Sequence, residues 1–196
     1  FISMSITKFN PGNIILLSII LLVALLRLAS FSGIGPLTLF TPLGAMALFS
    51  GVYFPGKIRP FVFPLLTLFI SDVIVSFYIF PEMRTGILYS GWFWVYLAFA
   101  LITLSGKLIV KKVTLKNMIL SILMATIIHW IVSDISMCVQ ANTFTMRLYM
   151  QKLVEAIPYE LRFMAGTAFY CTVMFGVVEL LHKKFPSLQF SIHAVK

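Results

Sequence analysis

Between Pro60 and Phe80 the chain carries one charged side chain, Asp72, in a stretch that is otherwise almost wholly apolar. A helix needs about 20 such residues to cross the roughly 30 Å hydrocarbon core of a bilayer. A helix apolar on every side must be enclosed by protein or by lipid, and a chain of this size cannot enclose many. Comparable runs recur at Asn13–Ala29, Thr41–Phe54, Gly91–Val110, Asn117–Val139 and Pro158–Leu181. The second is short, with Pro42 near its start and Pro55-Gly56 at its end. Gln140–Ile157 is too polar to cross and predicts an amphipathic segment between the fifth and sixth spans. There, Phe144, Leu148, Tyr149, Leu153 and Ile157 form the apolar face of an interfacial helix, which could act as a lid. The expectation is a single all-α transmembrane domain over residues 1–196, built of six helices.

Composition supports the same class. Hydrophobic residues make up 60% and charged residues 11% of the chain, where soluble proteins carry roughly 45–50% and about 25%. That excludes a soluble enzyme, a disordered tail and a coiled coil. The first run could be taken for a secretory signal, but Arg27-Leu28-Ala29-Ser30 is a poor cleavage site, so a retained helix is expected. Cys138 and Cys171 offer neither a disulfide framework nor a metal-binding spacing.

The net charge of +9 follows membrane topology and does not point to nucleic acid. With six spans both termini share one side. That side holds Lys8, Lys57, Arg59, Lys107, Lys111, Lys112, Lys116, Lys183, Lys184 and Lys196. The other holds Arg27, Arg84, Arg147, Lys152 and Arg162. The positive-inside rule then makes both termini cytoplasmic. The acids lean the opposite way: Asp72, Glu82, Asp134, Glu155 and Glu160 fall in the outer half, and Glu179 alone near the cytoplasmic end. Polar groups therefore gather toward the outer face.

Intramembrane ionisable residues face a bundle interior or a wet cavity, since one in lipid costs about 2.5–3.5 kcal/mol on insertion scales. Asp72 and Asp134 are thus candidates for a substrate or cation site, or for buried pairs with Arg27, Arg84 or Arg162 or with backbone donors at a helix end. At about 100° per residue, Thr126, His129, Ser133, Ser136 and Gln140 share one stripe of the fifth span. That stripe is a cavity wall or a hydroxyl-bonded helix interface. On the same wheel Asp134 lies roughly 140° from His129, so the two need not share one site. Gly44, Ala47 and Gly51 make a small-residue face suited to close helix packing. Trp92, Trp94 and Tyr96 open the fourth span as an interfacial belt, or as a stacking surface for a flat ligand. The candidate substrate-binding residues are Asp72, His129, Asp134, Arg84, Trp92 and Ser133. No catalytic motif, metal cluster or phosphate-binding loop is present in the sequence, so neither an enzyme nor a cofactor is expected.

The run Phe40-Thr41-Pro42-Leu43-Gly44-Ala45-Met46, continuing through Phe54, resembles the signature of a bacterial family of small membrane transport proteins of unknown function. Ser71-Asp72 and the stretch from Ala156-Ile157-Pro158 to Leu181 resemble it too. That family is similar to the S components of energy-coupling-factor vitamin transporters and to solitary cobalamin S-component homologues. The resemblance implies a six-helix bundle with both termini inside, an outer substrate pocket, an inner-membrane location and energy-coupling subunits as partners. In the cobalamin homologues a cysteine after the third span ligates cobalt. This chain has none between Phe77 and Trp92, and its first span lacks the paired alanines with which many S components dock. The expected function is capture of a small solute, a vitamin among the candidates, at the outer face and its movement inward. The alternative is an accessory subunit of a larger membrane complex.

Overall fold

The computed structural model describes residues 41–185, together with the helical positions Ile14, Ile15, Ser18, Leu21, Leu22 and Leu25. The rest of the expected first span, the Ser30–Leu39 connection and Arg27 lie outside the described residues. Within them the regular elements are all helical, and one isolated β-bridge pairs Arg84 with Tyr89. The helices are α1 (Leu43–Tyr53), α2 (Arg59–Ile74), α3 (Trp92–Ile109), α4 (Leu115–Ile128), α5 (Ile135–Gln140) and α6 (Met146–Lys184). A π-helical turn, Val75–Ile79, extends α2, and another, His129–Ser133, leads from α4 toward α5.

Four helical stretches among the described residues are long and apolar enough to cross a membrane: Arg59–Ile79, Trp92–Ile109, Leu115–Gln140 and Met146–Lys184. Their outward faces are apolar. Val62, Leu66, Phe69 and Ile70 on α2, Ile119, Leu123 and Ile127 on α4, and Val173, Val177 and Leu180 on α6 are all exposed. In water such patches would drive association. In a bilayer they meet hydrocarbon, and this is the surface of a multi-pass membrane protein.

The second expected span differs from its neighbours. α1 has 11 residues, every one of them buried. At 1.5 Å per residue it covers about 16 Å, half of a hydrocarbon core. It is a short central helix enclosed by α2, α3 and α6, which is what a sequence apolar on all sides requires. The Phe49 ring lies tilted 4.8 Å from that of Tyr53 and meets Phe175 of α6 edge-on at 5.3 Å. The Ser50 hydroxyl donates to the Pro60 carbonyl at 2.6 Å and ties α1 to the start of α2. Gly44, Ala47 and Gly51 form the face along which the backbones close up. A β-carbon at Gly51 would collide with the Thr103 carbonyl of α3, one at Gly106 with the Leu48 carbonyl of α1, and one at Gly44 with Thr167 and Phe163 of α6.

The amphipathic stretch also departs from expectation. It is not a separate interfacial helix, because α6 runs unbroken for 39 residues through Pro158. Proline removes one backbone donor and crowds the preceding turn, a cost that packed membrane helices absorb. The Thr145 side chain caps the start by accepting from the Leu148 amide at 3.2 Å. About 58 Å of helix results, nearly twice a hydrocarbon core. Its amino-terminal half leans on the second π turn: Trp130 Nε1 donates to the Leu153 carbonyl at 2.9 Å, and the Tyr149 hydroxyl to the Ile131 carbonyl at 2.6 Å. Tyr149→Phe and Trp130→Phe should each remove about 1 kcal/mol of this docking. Hydrogen exchange should then quicken at amides of residues 146–157 and stay unchanged in α3.

Candidate functional site

The second π turn decides what the interior of the bundle presents. A π turn inserts one residue into the helical register, which rotates everything beyond it by about 100°. Asp134, far from His129 on an unbroken helix, is thereby carried to the same side. Both now line one cavity of about 450 Å³, with Ser133 and Ser136. On a regular helix the two need not share a site; here they do, and the cause is backbone geometry that residue types do not reveal. The loosened carbonyls of the turn take side-chain donors. The Ser133 hydroxyl donates to the His129 carbonyl at 2.6 Å, and Tyr149 takes that of Ile131.

His129 is held from three sides. Its Nδ1 lies 2.7 Å from Glu160 Oε1 on α6. An ionised carboxylate only accepts, so with Glu160 charged Nδ1 carries the proton of this bond, and Nε2 accepts in the neutral ring or donates in the imidazolium. The ring stacks on Phe163 at 4.1 Å and 15°, and meets the edge of Phe99 at 5.5 Å. Glu160 occupies that place because it is in phase with the buried face of α6, followed by Phe163, Thr167, Tyr170, Met174 and Val178.

A second cavity, of about 460 Å³, lies on the other side of this pair. Thr41, Leu43, Leu68, Asp72, Tyr89, Val95, Phe99, Tyr159, Arg162 and Phe163 line it with His129 and Glu160. The two cavities share Val95, His129, Tyr159 and Glu160, so the His129–Glu160 pair stands between them. Asp72 in α2 is 6% exposed, and the Tyr89 hydroxyl is 3.4 Å from its Oδ2. Arg162 is exposed at the rim, its guanidinium 5.7 Å from the centre of the Tyr159 ring. Asp134 and Glu160 are 7% and 6% exposed, and Asp134 Oδ2 and Glu160 Oε2 are buried without a hydrogen-bond partner. Buried polar atoms are nearly always paired, and each orphan calls for an explanation.

Of the candidate residues, the structure gathers Asp72, His129, Ser133 and Asp134 around these adjoining cavities. It does not bring Arg84 or Trp92 to them. The Arg84 guanidinium lies 4.2 Å over the Phe77 ring. Trp92 packs edge-on against Tyr96 at 5.2 Å and lines a separate hollow under the 85–92 loop. Arg84 lies in the loop beyond the first π turn, and Trp92 is exposed at the start of α3. Phe99 and Phe163 also belong to the site, and their residue types gave no reason to single them out; Glu160, one of the outer-half acids, and Tyr89, which precedes the aromatic belt of the fourth span, belong to it without having been among the candidates. Only the three-and-four spacing of Glu160 with Phe163 and Thr167 marks it as inward-facing. No group of three or more histidine, cysteine, aspartate or glutamate side chains that could hold a metal ion occurs among the described residues.

Fold and site together define an all-helical, multi-pass membrane protein with partly open, mostly apolar cavities between its helices that carry a few polar side chains. The chain belongs to a family of unknown function, DUF6580, whose profile matches residues 7–188. No curated protein and no solved structure matches it.

Proposed function

We propose that this protein is a solute-capture protein of the S-component type. It binds a small solute in the cavities around His129 and Glu160, reached from the outer face of the bacterial inner membrane, and moves it inward. One observation carries this reading. About 460 Å³ of space bounded by Asp72, His129, Glu160 and the Phe99 and Phe163 rings lies among helices whose outer faces are apolar. Binding sites are concave, mostly apolar and furnished with a few converging polar groups, in volumes of roughly 300–1,000 Å³. Polar residues inside membranes are costly and commonly mark solute paths. The chain has no nucleotide-binding motif, so energy-coupling subunits or the solute gradient would supply the work.

The proposed topology has both termini cytoplasmic, with the short enclosed α1 and its flanking turns making the second of six passages, the basic residues segregating as above. Cysteines placed at Lys112 and Lys184 should react with an impermeant maleimide in inverted vesicles and stay protected in intact cells. Labelling of either from outside would contradict the topology and turn the cavities to the wrong side. Function itself is tested by mass spectrometry of small molecules extracted from protein purified out of native membranes. One solute in near-stoichiometric amount is expected. A protein that yields none and purifies as a fixed subunit of a larger complex would overturn the reading in favour of an accessory role.

A further inference from the structure

The charge balance of the cavity walls bears on the solute's chemistry. Asp134 Oδ2 and Glu160 Oε2 are buried without a partner, and both residues line the same cavity. The other oxygen of Glu160 is held by His129 at 2.7 Å, which leaves Oε2 to turn elsewhere. The basic groups in the walls do not answer them. Lys152 Nζ is spent on Glu155 Oε2 at 2.7 Å, and Arg162 is exposed at the rim. The unspent buried charge is therefore acidic. Two buried carboxylate oxygens without a donor, one of them on Glu160 whose other oxygen His129 already holds, are unfavourable; a positively charged donor offsets them most strongly and an anion not at all. A bare metal ion suits the space poorly, since about 450 Å³ is many times the roughly 30 Å³ that one water molecule takes in the liquid. The adjoining cavity offers aromatic rings, Tyr89, Phe99, Tyr159 and Phe163. Carboxylates beside aromatic rings are the surroundings that organic ammonium groups favour.

We infer that the solute is an organic cation, its charged nitrogen held by the Asp134 and Glu160 carboxylates and its apolar body by the neighbouring rings. This rests on the solute-capture reading and names the class of molecule captured.

The test uses the whole protein in nanodiscs and three probes that share a phenethyl body: phenethylammonium, phenethyl alcohol and phenylpropionate. Binding is followed by calorimetry and by the shift in melting temperature. Phenethylammonium alone is expected to bind. Asp134→Asn and Glu160→Gln, each eluting as a single monodisperse species, should weaken it by about tenfold or more, as removal of a desolvated charge partner does. Equal or tighter binding of the alcohol or the carboxylate would leave capture standing and overturn the charge assignment. So would phenethylammonium binding that ignores both substitutions, or an equal concentration of sodium chloride reproducing its effect. If no probe binds, the solute extracted from native membranes decides: a cation supports the inference, a neutral or anionic molecule overturns it, and no solute at all overturns capture as well.

Discussion

Replacing Glu160 by glutamine is expected to empty the protein of its solute while leaving it folded. The amide keeps the shape of the side chain and can still accept from His129 Nδ1, 2.7 Å away in the native pair. What it loses is the charge behind the unpartnered Oε2. Asp72→Asn and His129→Ala should act alike on retention, since both side chains line the same cavity as Glu160. If these residues serve packing alone, the outcome reverses. Breaking a buried pair leaves an uncompensated group and costs about 3–5 kcal/mol, so the melting temperature would collapse while retained solute stayed constant in the surviving fraction. Solute content and melting temperature measured on the same preparations separate the two. Unchanged binding with collapsed stability in all three variants would make the accessory-subunit reading the better one.

The second large effect concerns stability alone. α1 and α3 approach so closely that a β-carbon at Gly51 has no room beside the Thr103 carbonyl, nor one at Gly106 beside Leu48. Backbone cannot yield as the tip of a flexible side chain can. Gly51→Ala and Gly106→Ala should each cost about 1–3 kcal/mol by overpacking, and Gly51→Leu should prevent assembly of the bundle. Gly176, in α6, has nothing within 4 Å of a built β-carbon. Gly176→Ala should be neutral or raise stability by up to about 1 kcal/mol through helix propensity. Thermal unfolding in one detergent across the series checks this. Equal effects at Gly51 and Gly176 would show that α1 is not packed as described.

Much of the scaffold is legible in the sequence because a bilayer imposes a simple length rule. The stretches read as Pro60–Phe80, Gly91–Val110 and Asn117–Val139 are the helical stretches Arg59–Ile79, Trp92–Ile109 and Leu115–Gln140. The rule says less where it is not the controlling physics. α1 is short and wholly enclosed, and hydropathy does not distinguish enclosure by protein from exposure to lipid. Pro158 suggested a boundary, yet the helix absorbs one missing donor and joins two segments of different polarity. For the site, an ionisable residue in mid-span drew attention to Asp72, His129 and Asp134. The π turn at His129–Ser133 could not be read, since nothing in His129-Trp130-Ile131-Val132-Ser133 forbids ordinary α-helix. Without that turn Asp134 falls on another face. Glu160 was hidden by its nearness to a helix boundary that does not exist.

The central claim is that the space around His129 and Glu160 holds a solute. It is tested most directly by an experimental density map of the wild-type protein, purified from native membranes without added ligand. The expected map shows a connected, non-protein feature in contact with Glu160 Oε2 and Asp134 Oδ2, and the same map of E160Q lacks it. A map in which the two cavities are closed by side chains, with both carboxylates paired to protein donors, would contradict the account.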